Sequence, residues 1–228
     1  MDHVSPVQQR PLLIFGTGDV AQLAAYYFQV DYGRDVVAYI VDDDYVDAPE
    51  FAGLPLVPAS KCDSEFPPED YDLFIALAYT KMNRLRREKL DWARSLGYGL
   101  VSYISPRLTT FENVTFGVNC FILEDNTVQP FVKVGENVTL WSGNHIGHHS
   151  TIEDDVFIAS HVVVSGGVCV GRGSFIGVNA TLRDHITIGE FSVIGAGTVI
   201  LGDTEPKSVY AASSTKPREI SSDSVRKI

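Results

Sequence analysis

The residues best suited to chemistry are four of the six histidines, His145, His148, His149 and His161, which fall in one short interval. With a pKa of about 6.5, an imidazole can accept or donate a proton at neutral pH, and the neutral ring can bind zinc. A second group of interest is Gly16-Thr17-Gly18-Asp19-Val20-Ala21. It follows the apolar run Leu12 to Phe15 and leads into the helical pattern Val20, Leu23, Ala24, Tyr27, Phe28. In a strand, turn, helix context such a glycine loop can cradle a phosphate or ribose. A third group, Asp42-Asp43-Asp44, ends the apolar run Val36 to Val41, where a carboxylate can accept hydrogen bonds from a base or ribose. Each has a plainer account: a solvated corner histidine, a tight turn, a strand end.

The histidines are positioned by a repeat. From Phe116 to Ile200 an apolar residue returns at every sixth position: Phe116, Ile122, Val128, Val134, Leu140, Ile146, Ile152, Ile158, Val164, Val170, Ile176, Leu182, Ile188, Ile194 and Ile200. At 45% apolar composition, such a run in a chosen register has a chance probability on the order of one in 10^5. Two places earlier lies a column of mostly small or β-branched residues, among them Val114, Cys120, Val132, Ser150, Val162 and Ala180. Residues two apart on a strand share a side, so each hexad is a short strand followed by a corner. Gly117, Gly135, Gly147, Gly171, Gly177, Gly189 and Gly195 follow the apolar residue, as a tight corner would favour. In this register Ile146 points inward, while His148 and His149 stand at a corner. Pro130, Gly166 and Asp184 stack on His148 at multiples of 18 residues. A different corner carries Ser142, Ser160, Val178 and Ala196, a smooth edge, and Asn126 and Asn144 form a candidate inward amide ladder.

The first hundred residues alternate strands and helices, which predicts a small parallel α/β unit. Strands are expected at Leu12 to Phe15, Val36 to Val41, Leu54 to Val57, Asp72 to Ala78 and Leu100 to Ile104, with a helix over Lys81 to Leu96. There is room for one nucleotide-binding half and not for a dinucleotide site.

Together the two halves resemble the hexapeptide-repeat acyltransferases, and among them the nucleotide-sugar N-acetyltransferases of the bacillosamine and perosamine type and the related sialic acid O-acetyltransferases. The resemblance implies an N-terminal α/β Rossmann-like half-domain over 1–105. It implies a C-terminal left-handed parallel β-helix of about five coils over 106–228, capped at its C-terminus. It also implies a homotrimer in which the coenzyme A arm runs between neighbouring prisms, with acetyl-CoA as co-substrate and no metal. His148 matches the catalytic base, and the coenzyme contacts fall on Phe157, Gly166, Val178 and Ala196. The nucleotide contacts fall on Gly16, Thr17, Gly18, Asp42 and Asp43. The carboxylate that commonly follows the base is replaced here by His149. His145, His149 and His161 are expected to be structural or supporting, and Lys216 and Arg218 to belong to a solvated tail. The activity implied is acetyl transfer to a nucleotide-linked amino-deoxy sugar for surface polysaccharide biosynthesis. O-acetylation of a sugar is the nearest alternative. A γ-carbonic-anhydrase-like zinc hydrase or a sugar-nucleotide sensor is more remote.

Composition narrows the partners. A formal net charge of −11, with 29 acidic against 18 basic residues and no basic cluster, argues against nucleic acid and anionic membranes. No apolar run approaches the length of a membrane span, and the polar start of the chain predicts no signal peptide, hence a cytoplasmic address. Cys62, Cys120 and Cys169 lack metal-ligand spacing, and an odd number suits a reducing compartment.

Overall fold

A computed structural model describes residues 9–216 together with Glu219 and Ser224, so Arg218 lies outside the described residues. The α/β layer runs β1 (Leu12–Phe15), α1 (Asp19–Tyr32), β2 (Val36–Val41), β3 (Glu50–Phe51), β4 (Leu54–Pro58), α2 (Cys62–Glu65), β5 (Asp72–Ile75), α3 (Arg84–Ser95) and β6 (Gly99–Leu100). The sheet order is β3-β4-β2-β1-β5-β6. All its pairs are parallel except the β3–β4 hairpin, whose two-residue first strand is too short for a sequence pattern to announce. Strand β1 is buried on both faces, which is why it reads as a continuous apolar run. Helix α1 stops at Gly33, whose φ of 59° lets its N–H close on Phe28 and Gln29 carbonyls.

Three boundaries differ from the sequence expectation, each for a tertiary reason. Strand β5 ends at Ile75, where the Asn119 side chain accepts from the Ile75 N–H at 2.8 Å and donates to its carbonyl at 3.3 Å. Helix α3 begins at Arg84 and not Lys81, because Lys81, Met82 and Asn83 hold left-handed backbones with φ of 52°, 55° and 60°. The stretch Leu100 to Ile104 is not one strand. Gly99–Leu100 joins β5, whereas Tyr103–Ile104 pairs with Phe121–Ile122. The buried Tyr103 ring, wedged among Tyr27, Phe28 and Phe121, draws it to the other sheet.

The repeat folds as a left-handed parallel β-helix, a triangular prism of three stacked sheets. One face holds Tyr103–Ile104, Phe121–Ile122, Thr139–Leu140, Phe157–Ile158, Phe175–Ile176, Val193–Ile194 and Val209–Tyr210. The α/β layer covers it, so it is called the covered face. Next along each coil comes the face with Thr127–Val128, His145–Ile146, Val163–Val164, Thr181–Leu182 and Val199–Ile200, called the apolar face. The charged face follows, with Thr115–Phe116, Lys133–Val134, Thr151–Ile152, Cys169–Val170 and Thr187–Ile188. Neighbouring strands pair 18 residues apart except at the last step of the covered face, where Val193 meets Val209; Ile146 stacks on Val164, and both are fully buried. Each such side chain contributes roughly 1.5–3 kcal/mol of apolar burial. The amide ladder is present, with Asn144 N donating to Asn126 Oδ1 at 3.0 Å and Val162 N to Asn144 Oδ1 at 2.8 Å.

The glycines after the apolar column serve a purpose other than the one expected. The left-handed backbone at each corner falls two residues later, on Asn119, Phe131, Asn137, His149 and Asp155 among others. A Cβ on Gly147 would instead stand 2.5 Å from the Ser165 carbonyl carbon, so this glycine permits close stacking of coils.

Candidate active site

His148 lies on the edge between the apolar and charged faces, exposed, one residue beyond Gly147. Its backbone N–H donates to Gln129 Oε1 of the coil below at 2.9 Å. Its imidazole packs over Gly166 of the coil above: a Cβ there would stand 2.7 Å from His148 Cε1 and 2.8 Å from Nε2. Gly166 is therefore the residue that leaves the ring its place. His149, also exposed, has φ of 60° and stacks on Phe131, with ring centroids 4.6 Å apart. The two histidines face each other, with His148 Nδ1 3.1 Å from His149 Nδ1. His145 sits half-buried on the apolar face, and His161 packs over Gly143 on the next edge, so neither joins the pair.

The remaining coenzyme-contact positions gather elsewhere. Ser160, Val178 and Ala196 lie on the edge between the covered and apolar faces, with Val178 and Ala196 exposed. Phe157, only 6% exposed, stacks between Trp141 and Phe175 and meets the Tyr79 ring at 5.1 Å. Val20, Ala78, Tyr79, Phe157, Phe175 and Val178 are among the residues lining a cavity of about 290 Å³ where the α/β layer meets this edge. Thus Phe157 and Val178 come together and Ala196 continues their edge, while Gly166 stands with His148 across the apolar face. Within one chain the four positions do not form one pocket.

The glycine loop is held differently at its two glycines. Gly16 has φ of 126°, and a Cβ on it would lie 2.9 Å from the Ala76 carbonyl oxygen, so the fold itself requires glycine there. Gly18 has an ordinary φ of −90° and open space where a side chain would be. It stands at the N-terminus of the 14-residue α1, whose first N–H groups carry the positive end of the helix dipole. The missing side chain at Gly18 leaves that end accessible, with half-buried Thr17 beside it. Asp42 follows β2 and forms a 2.6 Å ion pair with Lys89 of α3. Asp43 accepts from the Ser60 N–H at 3.1 Å, and hydrogen bonding from the Ser60 side chain, then from its backbone, holds the Asp43 carboxyl below the usual range. Asp43 therefore has a structural duty, whereas Asp42 keeps one oxygen free of the lysine contact.

Sequence patterning missed Lys89 as a site residue, since it served only as a helical-spacing mark. Tyr79, Phe175 and Gln129 were also missed. Their one signal is position, Tyr79 in the break between β5 and α3 and Gln129 next to Pro130 below the histidines.

Residues 131–166 and 149–184 match the family profile described as bacterial transferase hexapeptide (six repeats). The matched residues lie within the prism. The sequence has no match among curated proteins. Among solved structures, the acetyltransferase domain of PglB from Neisseria gonorrhoeae FA1090 is 24% identical, with 92% of this chain and 100% of that one covered at a TM-score of 0.79. A histidine-to-asparagine variant of perosamine N-acetyltransferase from Caulobacter crescentus, in complex with CoA and GDP-perosamine, is 23% identical, with 89% and 93% covered at 0.80. WeeI from Acinetobacter baumannii AYE is 17% identical, with 89% and 96% covered at 0.78. These likenesses establish the fold over both the α/β layer and the prism. No helix among the described residues is long and apolar enough to cross a membrane.

Proposed function

We propose that the protein is an acetyl-CoA-dependent N-acetyltransferase acting on a nucleotide-linked amino-deoxy sugar. The observation that carries this reading is the exposed His148 imidazole at an edge kept open by Gly166. Support comes from the fold shared with a perosamine N-acetyltransferase that binds CoA and GDP-perosamine. In this reading Gly16, Thr17 and Gly18 at the start of α1 take the diphosphate, and Asp42 accepts from base or ribose. The acceptor nitrogen attacks the thioester carbonyl carbon, and His148 removes its proton. The C–S bond breaks, and the departing thiolate recovers a proton from the imidazolium. General-base help of this kind supplies about 10^2 to 10^4 in rate. Such a transfer needs a base and a thioester, and no metal.

The site is completed by a second copy of the chain. The apolar face exposes Val163 (40%) and Val199 (62%), bordered by Val178, Leu201 and Phe131. The charged face instead presents Lys133, Glu153, Asp154 and Arg172. A trimer joined through the apolar face would set the His148 edge of one prism against the Val178–Ala196 edge of its neighbour. The coenzyme contacts Phe157, Gly166, Val178 and Ala196 would then line one groove. Such an enzyme fits a cytoplasmic step that prepares sugars for surface polysaccharide.

The test is incubation with acetyl-CoA and a panel of nucleotide-linked amino sugars and their hydroxyl counterparts, following free thiol. Thiol release with an amino sugar alone is expected. Release only with the hydroxyl series would move the assignment to O-acetylation. Stoichiometric zinc with bicarbonate formation and no thiol release would replace it altogether.

A further inference from the structure

We infer that His149 is a positioning residue that holds His148 in the tautomer able to act as a base. This rests on the acyl-transfer reading of His148. Two facing ring nitrogens 3.1 Å apart hold one proton between them, because two lone pairs repel and two N–H groups clash. If His148 Nδ1 carries that proton and His149 Nδ1 accepts it, His148 Nε2 is left with a free lone pair beside Gly166. In the opposite arrangement Nε2 carries the hydrogen and His148 cannot take a proton from substrate. The first arrangement is also the one that leads to imidazolium, since the His148 cation then donates a charge-assisted hydrogen bond to a neutral ring.

Two features keep His149 in place for this task. Its backbone holds the left-handed corner conformation, φ of 60°. Its ring stacks on Phe131 of the coil below at 4.6 Å and 31°. Among the described residues, the stack around the pair holds no nearer titratable ring or charge. Below lie uncharged Gln129, Pro130 and Phe131, and above lie Gly166 and Gly167. His185 packs over Gly167, and the first carboxylates in the stack are Glu112 below and Asp184 above, each two coils from His148. A neutral imidazole thus occupies the position of the carboxylate implied by the resemblance. It can fix the tautomer but supplies no negative charge to favour the imidazolium.

The experiment compares His149→Phe, His149→Ala and His149→Glu with the unaltered protein in the thiol-release assay across pH 6 to 9. His149→Phe keeps an aromatic ring for Phe131 and removes the acceptor. It is expected to lower kcat about tenfold with acetyl-CoA KM within a few-fold, and His149→Ala is expected to do the same. His149→Glu is expected to restore kcat at neutral pH and to move the acid limb of the kcat/KM profile upward, since a carboxylate favours the imidazolium. Unchanged kcat and pH profile in His149→Phe would overturn the inference, as would a His149→Glu variant no better than His149→Ala. A His148→Ala control separates the two levels. If it retains full activity, the reading of His148 itself fails. If it is inactive while His149→Phe is normal, only the role of His149 fails.

Discussion

Two edges of the same prism place different residue types in the same backbone conformation and put them to opposite uses. On the edge between the charged and covered faces, Asn119, Asn137 and Asp155 occupy left-handed positions with φ of 54°, 58° and 62°. On the histidine edge, Phe131, His149 and His185 occupy them with φ of 66°, 60° and 55°. The first edge is sealed under α3. Asn119 Nδ2 donates to Asn137 Oδ1 at 2.8 Å and Asn137 Nδ2 to Asp155 Oδ1 at 2.8 Å. Asp155 also receives Arg87 Nε at 2.8 Å and Arg172 Nε at 3.0 Å. Arg86, buried beside this ladder, donates to the Asn137 carbonyl at 2.6 Å and to Thr139 Oγ1, and burial lowers its guanidinium to about 10. The second edge is not covered by α3, and there His148 and His149 bring their Nδ1 atoms within 3.1 Å of each other. Backbone geometry offers the same seat on both edges; cover and side-chain saturation decide whether the occupant stabilises or reacts.

Breaking the sealed edge should give the largest effect. Asp155→Ala takes the acceptor from the half-buried Arg87 Nε and from the buried Asn137 Nδ2 and leaves Arg87 only its contacts to Glu136, Asp91 and Asp154, which should cost about 3 kcal/mol in urea unfolding. Thiol release per folded molecule should change far less. On the open edge the order reverses. His148→Ala should lower kcat by about 10^2 or more, equivalent to about 2.7 kcal/mol of barrier. Acetyl-CoA KM should stay within a few-fold, and the unfolding midpoint should hardly move. A subtler test of the same edge is Gly166→Ala. The backbone there can accept alanine, but the new Cβ would push on the His148 ring, so kcat should fall about tenfold while the prism stays folded.

The smallest effect concerns pH. Burial pushes the Glu136 carboxyl up, but hydrogen bonds from Arg94 and Arg87 outweigh it and hold the carboxyl below its ordinary 4.5. A carboxyl with a lowered folded-state pKa contributes stability above its unfolded pKa and loses it as pH falls through the folded one. Thermal midpoints should therefore decline below about pH 4.5, and Glu136→Gln should flatten that decline. An equal decline in both proteins would assign the acid sensitivity to other groups.

Much of the molecule was legible from the chain because a six-residue period is a local property. Ile146 and Val164 announced their inward direction and 18-residue stacking, and the same register put His148 at a corner beside Gly166. The glycine loop was legible for a similar reason, since strand, turn and helix are consecutive. The layer's boundaries were less so. Nothing near Leu100 says that Tyr103 will leave one sheet for another, because its reason is a pocket of aromatic rings supplied by α1 and the prism.

The sequence by itself determined the repeat, the inward columns, the two exposed corners and the existence of an α/β layer, all of which follow from periodicity and adjacent turns. Tertiary structure alone decided that Lys89 pairs with Asp42 and that Tyr79 closes a cavity against Phe157 and Phe175. It also decided that α3 seals one edge while the histidine edge stays open, and that His149 turns its Nδ1 to His148. The physical reason is range. Periodicity is carried by neighbours along the chain. A contact across dozens of residues, or a ring held against a stacked partner from another coil, exists only once the coils and the layer have packed.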